Sequence, residues 1–287
     1  MGPANQRESI PKESLPYALE QSPIELRGEM DRLPTIKKAR FVHRHFEAIA
    51  RRYDFMNTLL SLGLHFRWKR AAIRALEAKK GERVLDVCGG TGDLSLLAAK
   101  RMARDGRVVL YDFNRAMLQV GLRKVARASA KDHIALVQGD AEWISLASNS
   151  FDRAVVGFGI RNLSDMERGF SEMLRILKPG GRLICLEFSI PPGRWFRWLY
   201  DFYSFHILPR LGKTFAGSKE AYIYLYESIR QFPSADELSR ILQDLGFVDV
   251  TYRRFSLGIA VIHQGTKPRK TESNVFEDLS GIRTSAV

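Results

Sequence analysis

The sequence predicts an α/β protein with a doubly wound, mostly parallel sheet beneath an N-terminal helical cap. Three observations carry this. Short apolar runs of strand length alternate with longer segments of helical spacing from residue 83 to residue 188. The first run ends in a glycine-rich loop. The last two runs are separated only by a tight turn, so the final strand pair must reverse direction. Alternation of this kind places helices on both faces of a parallel sheet. Ligands of such sheets sit outside the carboxyl ends of the strands, where the strand order reverses.

The elements follow in order. Phe41, Phe46, Ile49 and Tyr53 share helical spacing, and a second helix is expected over 66–78. Arg83-Val84-Leu85-Asp86-Val87-Cys88 reads as a buried strand. A helix over 94–102, a strand over 107–111, a helix over 116–128 and strands over 133–138 and 151–158 come next. A helix over 166–177 is stopped by Pro179-Gly180-Gly181 before a strand over 182–188. After an irregular aromatic stretch, a helix spans 235–245, and strands over 247–255 and 257–264 close the chain about Ser256. Pro3, Pro11, Pro16, Pro23 and Pro34 mark residues 1–35 as a flexible lead-in, and 267–287 read as a polar tail. The domain is therefore expected over 36–266, with the helical cap at 36–80 and an aromatic insertion at 190–232.

Composition narrows the function. The 287 residues carry 45 Lys/Arg against 32 Asp/Glu, a net charge of +13, and 45% are hydrophobic. No apolar run reaches the length of a membrane-spanning helix. Two cysteines, Cys88 and Cys185, cannot build a disulfide framework or a four-thiolate zinc site. No other cluster has metal-ligand spacing, and no metal is expected. The first 35 residues hold six acids and four bases without an apolar core, which argues against secretory and transit signals and for a cytoplasmic protein. Thirteen Lys/Arg against four Asp/Glu fall between residues 36 and 83. That concentration suits a polyanion such as an anionic membrane surface, the alternative being a solvated helical face. Nucleic acid is not expected, since neither a base-stacking platform nor an RNA-binding module is recognisable.

Asp86-Val87-Cys88-Gly89-Gly90-Thr91-Gly92-Asp93 joins the first strand to the next helix. A dinucleotide fingerprint starting at Gly90 would need glycine at 95, where Ser95 stands. The loop instead resembles the first motif of class I methyltransferases, which bind S-adenosylmethionine (SAM) on a Rossmann-like sheet with a reversed terminal strand. Asp112 ends the second strand, where a carboxylate can accept ribose hydroxyls. Gly139-Asp140-Ala141 ends the third, where an acid can accept the adenine amine and alanine leaves room for the ring. Asp86 could instead cap the loop, Asp112 could cap the helix before Asn114, and Asp140 could be a turn acid. Together at successive strand ends, the three favour a SAM site.

Tyr53-Asp54-Phe55-Met56-Asn57, followed by Ser61, His65 and Trp68, resembles a signature of the ubiquinone/menaquinone biosynthesis C-methyltransferase family. A second signature matches at Arg175-Ile176-Leu177-Lys178-Pro179-Gly180-Gly181, continuing to Glu187 and Ser189, with Ile176 where valine is usual. Phe158-Gly159-Ile160-Arg161-Asn162, and Tyr200-Asp201-Phe202-Tyr203-Ser204-Phe205 with Leu208-Pro209, resemble two further family segments. The resemblance spans residues 36–267. It implies SAM contacts at Thr91, Asp112, Asp140 and Ala141, with Asp86, Gly90 and Gly92 in the loop. Gly157 belongs to the same set, although the family often has a SAM-touching serine there, so that side-chain contact is expected to be missing.

The resemblance also implies methylation of a ring carbon of a polyprenyl quinol in menaquinone or ubiquinone biosynthesis. Catalysis is then mainly orientation plus help with one proton. Arg161 and Asn162 are the first candidates for holding the quinol oxygens, the guanidinium favouring a phenolate without serving as a base. Tyr53, Asp54, Asn57, His65, Tyr203 and His206 are candidate wall residues, with a structural hydrogen bond as the alternative for each histidine. Arg194-Trp195-Phe196-Arg197-Trp198-Leu199-Tyr200 interleaves bases with amphipathic rings, which suits peripheral attachment at the inner face of a membrane or, alternatively, roofing of the active site. A homodimer or a quinone-biosynthesis complex is left open. Rival readings are a methyltransferase for another small molecule and a SAM-binding assembly partner without turnover.

Overall fold

The computed structural model describes residues 46–47, 50, 52–102, 105–203 and 220–269. Phe41, Ile49, the lead-in and His206 lie outside them. The described chain runs α1 (Tyr53–Leu60), α2 (Leu64–Leu76), β1 (Arg83–Val87), α3 (Asp93–Arg101), β2 (Arg107–Asp112), α4 (Arg115–Arg127), β3 (Ile134–Gln138) and β4 (Phe151–Gly157). After a 3-10 turn at Ile160–Asn162 come α5 (Met166–Ile176), β5 (Leu177–Phe188), α6 (Arg194–Phe202), α7 (Glu220–Gln231), α8 (Ala235–Asp244), β6 (Val248–Phe255) and β7 (Ala260–Thr266). The sheet order is β3-β2-β1-β4-β5-β7-β6.

β1 to β5 are parallel, and β7 enters antiparallel between β5 and β6, pairing Cys185 with His263. The expected reversed terminal pair is present. Order reverses on either side of β1, which places the ligand crevice beyond the carboxyl ends of β1 and β4.

Side-chain alternation divides the core in two. Val84, Leu110, Val155, Ile184 and Leu186 face α2, α3 and α4 through Trp68, Leu76, Ala98 and Leu118. Leu85, Val87, Ala154, Val156 and Cys185 face α5 and α8 through Phe170, Met173, Leu238 and Leu242. Because both faces are covered, the central strands hold apolar runs such as Ala154-Val155-Val156 and Leu183-Ile184-Cys185-Leu186, and this made them legible. Among the described residues three helix starts carry side-chain caps: Asn114 accepts from Met117 N–H (3.1 Å), Asp165 from Arg168 N–H (2.8 Å), and Ser234 with Glu237 forms a capping box.

Element ends shift by one to three residues along the chain, and three departures have a structural cause. β5 begins at Leu177, before Pro-Gly-Gly, because Leu177 pairs with Phe151 across a register shift and Gly180 and Gly181 exchange hydrogen bonds with Lys267. Lys267 Nζ also donates to Leu177 O (2.8 Å). The reversal at Ser256 is a 3-10 turn with Leu257 at φ 57°. The aromatic stretch contains two helices, α6 and α7. In α6, Trp195, Trp198, Leu199 and Phe202 share one face at helical spacing and Arg194, Arg197 and Asp201 the opposite one, a helical pattern that the dense run of rings hid, and none of its residues is buried.

Candidate active site

Two adjoining cavities lie beyond the carboxyl ends of the central strands, and they share Phe46, Tyr53 and Phe158. The smaller, about 310 Å3, is walled by the ends of β1 to β4. Gly90, Asp112, Asp140, Ala141, Gly157 and Asn162 all line it. Asp112 Oδ2 accepts from Gly90 N–H and its Oδ1 from Asn114 N–H, both at 2.8 Å. These bonds lock the carboxylate to the glycine loop at the cavity wall. Asn114, not Asp112, caps α4. Asp140 Oδ1 accepts from Glu142 N–H (2.9 Å), so it serves as a turn acid and a cavity wall at once. The carboxylates, the glycine loop and the volume fit a nucleoside with an amino-acid tail.

Leu94 Cδ1 stands 2.5 Å from where a Cβ at Gly157 would be, so Leu94 fills the space a serine would take. Phe113, Met117, Glu142, Tyr111 and Cys88 also wall the cavity and were not picked out as cofactor contacts from the sequence. Phe113 had a usable signal, being a large exposed ring directly after the ribose acid. Burial and the nearby Asp112 and Asp86 push the Cys88 thiol well up, which suits packing and not nucleophilic chemistry.

Asp86, Thr91 and Gly92 do not line either cavity. Asp86 is fully buried behind the loop, its Oδ2 accepting from Ser95 Oγ (2.6 Å) while Oδ1 has no partner. Burial raises this carboxyl to about 7. Gly92, at φ 83°, has Leu110 Cδ1 2.7 Å from a would-be Cβ, so glycine is what lets α3 start against β2. Thr91 Oγ1 turns away and donates to Asp54 Oδ1 (2.6 Å).

Asp54, expected as a substrate wall, does not line the larger cavity; it belongs to an ionic cluster under the cap. Lys124 Nζ donates to Asp54 Oδ2 (2.7 Å) and to Asp93 Oδ1, and Lys69 Nζ donates to Asp93 Oδ2 (2.7 Å). Burial alone would raise Asp93, but Lys69 and Lys124 outweigh it and bring it down to about 2. The cluster ties α1 to α2, α3 and α4 at the glycine loop.

The larger cavity, about 500 Å3, is apolar and aromatic, built by α1, α2, α6 and α7 over Phe158 and Phe188. Tyr53, Asn57, His65, Tyr203 and Arg161 line it. Arg161 Nη1 donates to Glu187 Oε1 and to Phe158 O, both at 2.6 Å, and its guanidinium lies 5.3 Å from the Phe188 ring centre. Arg161 and Glu187 are almost wholly buried, and Glu187 Oε2 has no partner. Burial pushes Glu187 up, and Arg161 counters it. Asn162 Oδ1 accepts from Tyr224 OH (3.1 Å), joining the two cavities' walls. Burial raises Tyr53, against a hydrogen bond with Asn57 and the field of Arg161, so its phenol is neutral. Glu187 had been noted only as part of a signature; it faces Arg161 because β4 and β5 are neighbours. Among the described residues no cluster of His, Cys, Asp and Glu could hold a metal ion, and no helix is long and apolar enough to cross a membrane.

A profile of the ubiE/COQ5 methyltransferase family matches residues 34–267. The ubiquinone/menaquinone biosynthesis C-methyltransferase UbiE of Stenotrophomonas maltophilia is 44% identical over 230 residues, 80% of this chain and 91% of that one. The protein of the same name from Haemophilus ducreyi is 43% identical over 231 residues, 80% and 89% of the two chains. Among solved structures, the [4+2]-cyclase SpnF aligns with TM-score 0.60 at 15% identity, over 79% of this chain and 95% of that one. A SAM-dependent methyltransferase of Thermotoga maritima, described in its crystal structure as a possible histamine N-methyltransferase, aligns with TM-score 0.54 at 20% identity, over 78% and 99%. Structural likeness at these identities speaks for the fold alone, since one fold hosts many reactions.

Proposed function

The chain belongs to the ubiE/COQ5 methyltransferase family, and from that premise we propose that it methylates a ring carbon of a polyprenyl quinol held in the 500 Å3 cavity. It is a SAM-dependent C-methyltransferase of ubiquinone/menaquinone biosynthesis. The observation that carries the proposal is the junction of a polar cavity and an apolar, aromatic one at Tyr53 and Phe158.

Asp112, Asp140, Ala141 and the backbone at Gly90 and Gly157 hold the cofactor in this reading. Thr91 and Asp86 support the loop from behind. The cofactor supplies an already activated methyl group, so the chain's own task is alignment and management of one proton. The ring carbon exchanges its hydrogen for the methyl, and one proton is released. Arg161 steadies negative charge on the quinol oxygen as its proton leaves. Its neighbour Glu187 keeps the dry pocket close to neutral beforehand, and Phe158 O and Glu187 together fix the guanidinium. Arg161 stays protonated and so is not the base, and the released proton ends in bulk solvent. Tyr53 and Asn162, at the wall between the cavities, set the ring's distance from the donor.

The cavity's outer wall suggests how a bilayer substrate arrives. Leu199, Phe202 and Leu62 line it and are also exposed, and Trp195 and Trp198 project beside them at 74% and 67% exposure. Arg194 and Arg197 on α6, with Arg67, Arg70 and Arg74 on α2, are exposed cations nearby in sequence. In this reading the collar rests on an anionic membrane and the prenyl chain stays in lipid.

The test is methyl transfer from labelled SAM to chemically reduced demethylmenaquinone and, separately, to the demethyl benzoquinol precursor, in detergent. Label in either lipid is expected, and the ratio assigns the ring. Intact SAM binding with no label in either would overturn the proposal. Asp112→Ala should weaken SAM binding at least about tenfold in calorimetry, since it loses both the diol acceptor and the clamp on Gly90.

A further inference from the structure

His65 occupies the larger cavity in a state that its neighbours determine. Ser61 Oγ donates to Asn57 O at 2.6 Å and lies 2.7 Å from His65 Nδ1. Two short contacts need two protons, and the hydroxyl has one. The carbonyl cannot donate, so the hydroxyl proton goes to Asn57 O and His65 Nδ1–H donates to Ser61 Oγ. His65 N–H also donates to Ser61 Oγ at 3.3 Å. The imidazole is therefore held as the Nδ1–H tautomer, and Nε2 carries a lone pair.

Among the described residues Nε2 has no hydrogen-bond partner, yet it is not among the side-chain atoms sealed inside protein. The residue itself is 3% exposed and lines the cavity, so Nε2 opens onto the cavity and not onto bulk water. Phe66, with ring centres 4.0 Å apart, holds the imidazole plane. Burial and the nearby Lys69 bring its pKa down to about 4, so the ring stays neutral. Arg161, which lines the same cavity, has only donors, whereas Tyr203 OH donates to Leu60 O at 2.9 Å and keeps its own lone pairs, so the imidazole is the acceptor here that carries no proton to turn toward a carbonyl.

We infer that Ser61 and His65 form a fixed hydrogen-bond acceptor by which the cavity selects the reduced, hydroxyl-bearing ring over the corresponding quinone. A quinol hydroxyl donates to Nε2; a quinone carbonyl sets lone pair against lone pair in a dry pocket. This rests on the proposed quinol substrate and adds to it the group that reads the substrate's redox state. A mispaired buried acceptor costs enough to discriminate about tenfold.

The test is equilibrium dialysis of the full chain, with S-adenosylhomocysteine present, against a short-chain 1,4-naphthoquinol kept reduced and against its quinone. The wild type should bind the quinol about tenfold more tightly. His65→Asn keeps an amide donor for Ser61 but loses the acceptor, and it should bring the ratio close to one by weakening the quinol. His65→Gln, whose amide oxygen reaches the Nε2 position, should restore part of it. Ser61→Ala leaves the imidazole but frees its tautomer, and it should give an intermediate ratio. A wild-type ratio near one, or a His65→Asn ratio equal to wild type, would overturn the inference. Should His65→Asn fail to fold, an unchanged ratio in Ser61→Ala does the same. Failure of the wild type to methylate any quinol would count against the proposed function, whereas normal turnover with an unmoved ratio counts only against this acceptor.

Discussion

Arg161 and Glu187 show how one buried pair serves both stability and chemistry. Each compensates the other's charge where water is absent, so removing either leaves an uncompensated ion or forces a protonation change. Arg161→Ala should lose about 3–5 kcal/mol of stability by denaturant unfolding, and methyl transfer should fall about a hundredfold or more. SAM affinity should stay near wild type, because Arg161 lines the substrate cavity. The double replacement Arg161→Met with Glu187→Gln should recover stability without recovering activity. Full activity in Arg161→Ala would remove this residue from the mechanism.

Two helices that wall the larger cavity have distinct tasks. Through Asp54, α1 is bonded to Thr91 in the glycine loop and to Lys124 on α4, so the roof of the substrate cavity and the floor of the cofactor loop move together. By contrast, α6 buries none of its residues and presents Trp195 and Trp198 to solvent. A helix held for packing would hide those rings. Replacing both by serine should cut co-sedimentation with anionic vesicles severalfold and leave SAM affinity unchanged. Binding by the wild type should weaken as salt rises. Wild-type sedimentation of the double variant would return the rings to a purely roofing role.

At the scale of the whole molecule, buried ionisable groups couple stability to pH in opposite senses. His263 Nε2 bonds Ala235 O at 2.9 Å and Nδ1 is sealed without a partner. Burial lowers it from 6.5 to about 4, with Arg254 adding to this and Asp236 opposing. The unfolded chain takes up this proton first, so the wild type loses stability relative to His263→Gln as pH falls from 6.5 to 4. Asp86 is raised from 3.8 to about 7. The folded chain holds its proton longer, so the wild type gains stability relative to Asp86→Asn as pH falls from 7 to 3.8. Thermal melts across that range should therefore diverge in opposite directions for the two variants. Parallel curves would contradict both assignments.

What could be read from the chain alone was whatever is written locally. The central strands carry short apolar runs, Val108 to Tyr111, Ala154 to Val156 and Leu183 to Leu186, because both sheet faces are covered. The glycine loop and the acids at 112 and 140 fall at strand ends, and the signature at Tyr53 to Trp68 lies within one helical hairpin. These determined the fold class, the SAM crevice and the family. The tertiary structure decided which way each side chain faces. Asp54 meets Thr91 across 37 positions, and Glu187 meets Arg161 across 26. Asp86 turns behind the loop toward Ser95 on α3. The contact of the two cavities at Tyr53 exists only once the cap lies over the strand ends. Such pairings depend on strand order and on where the cap settles, and burial energy decides both over the whole chain, beyond the reach of any local pattern.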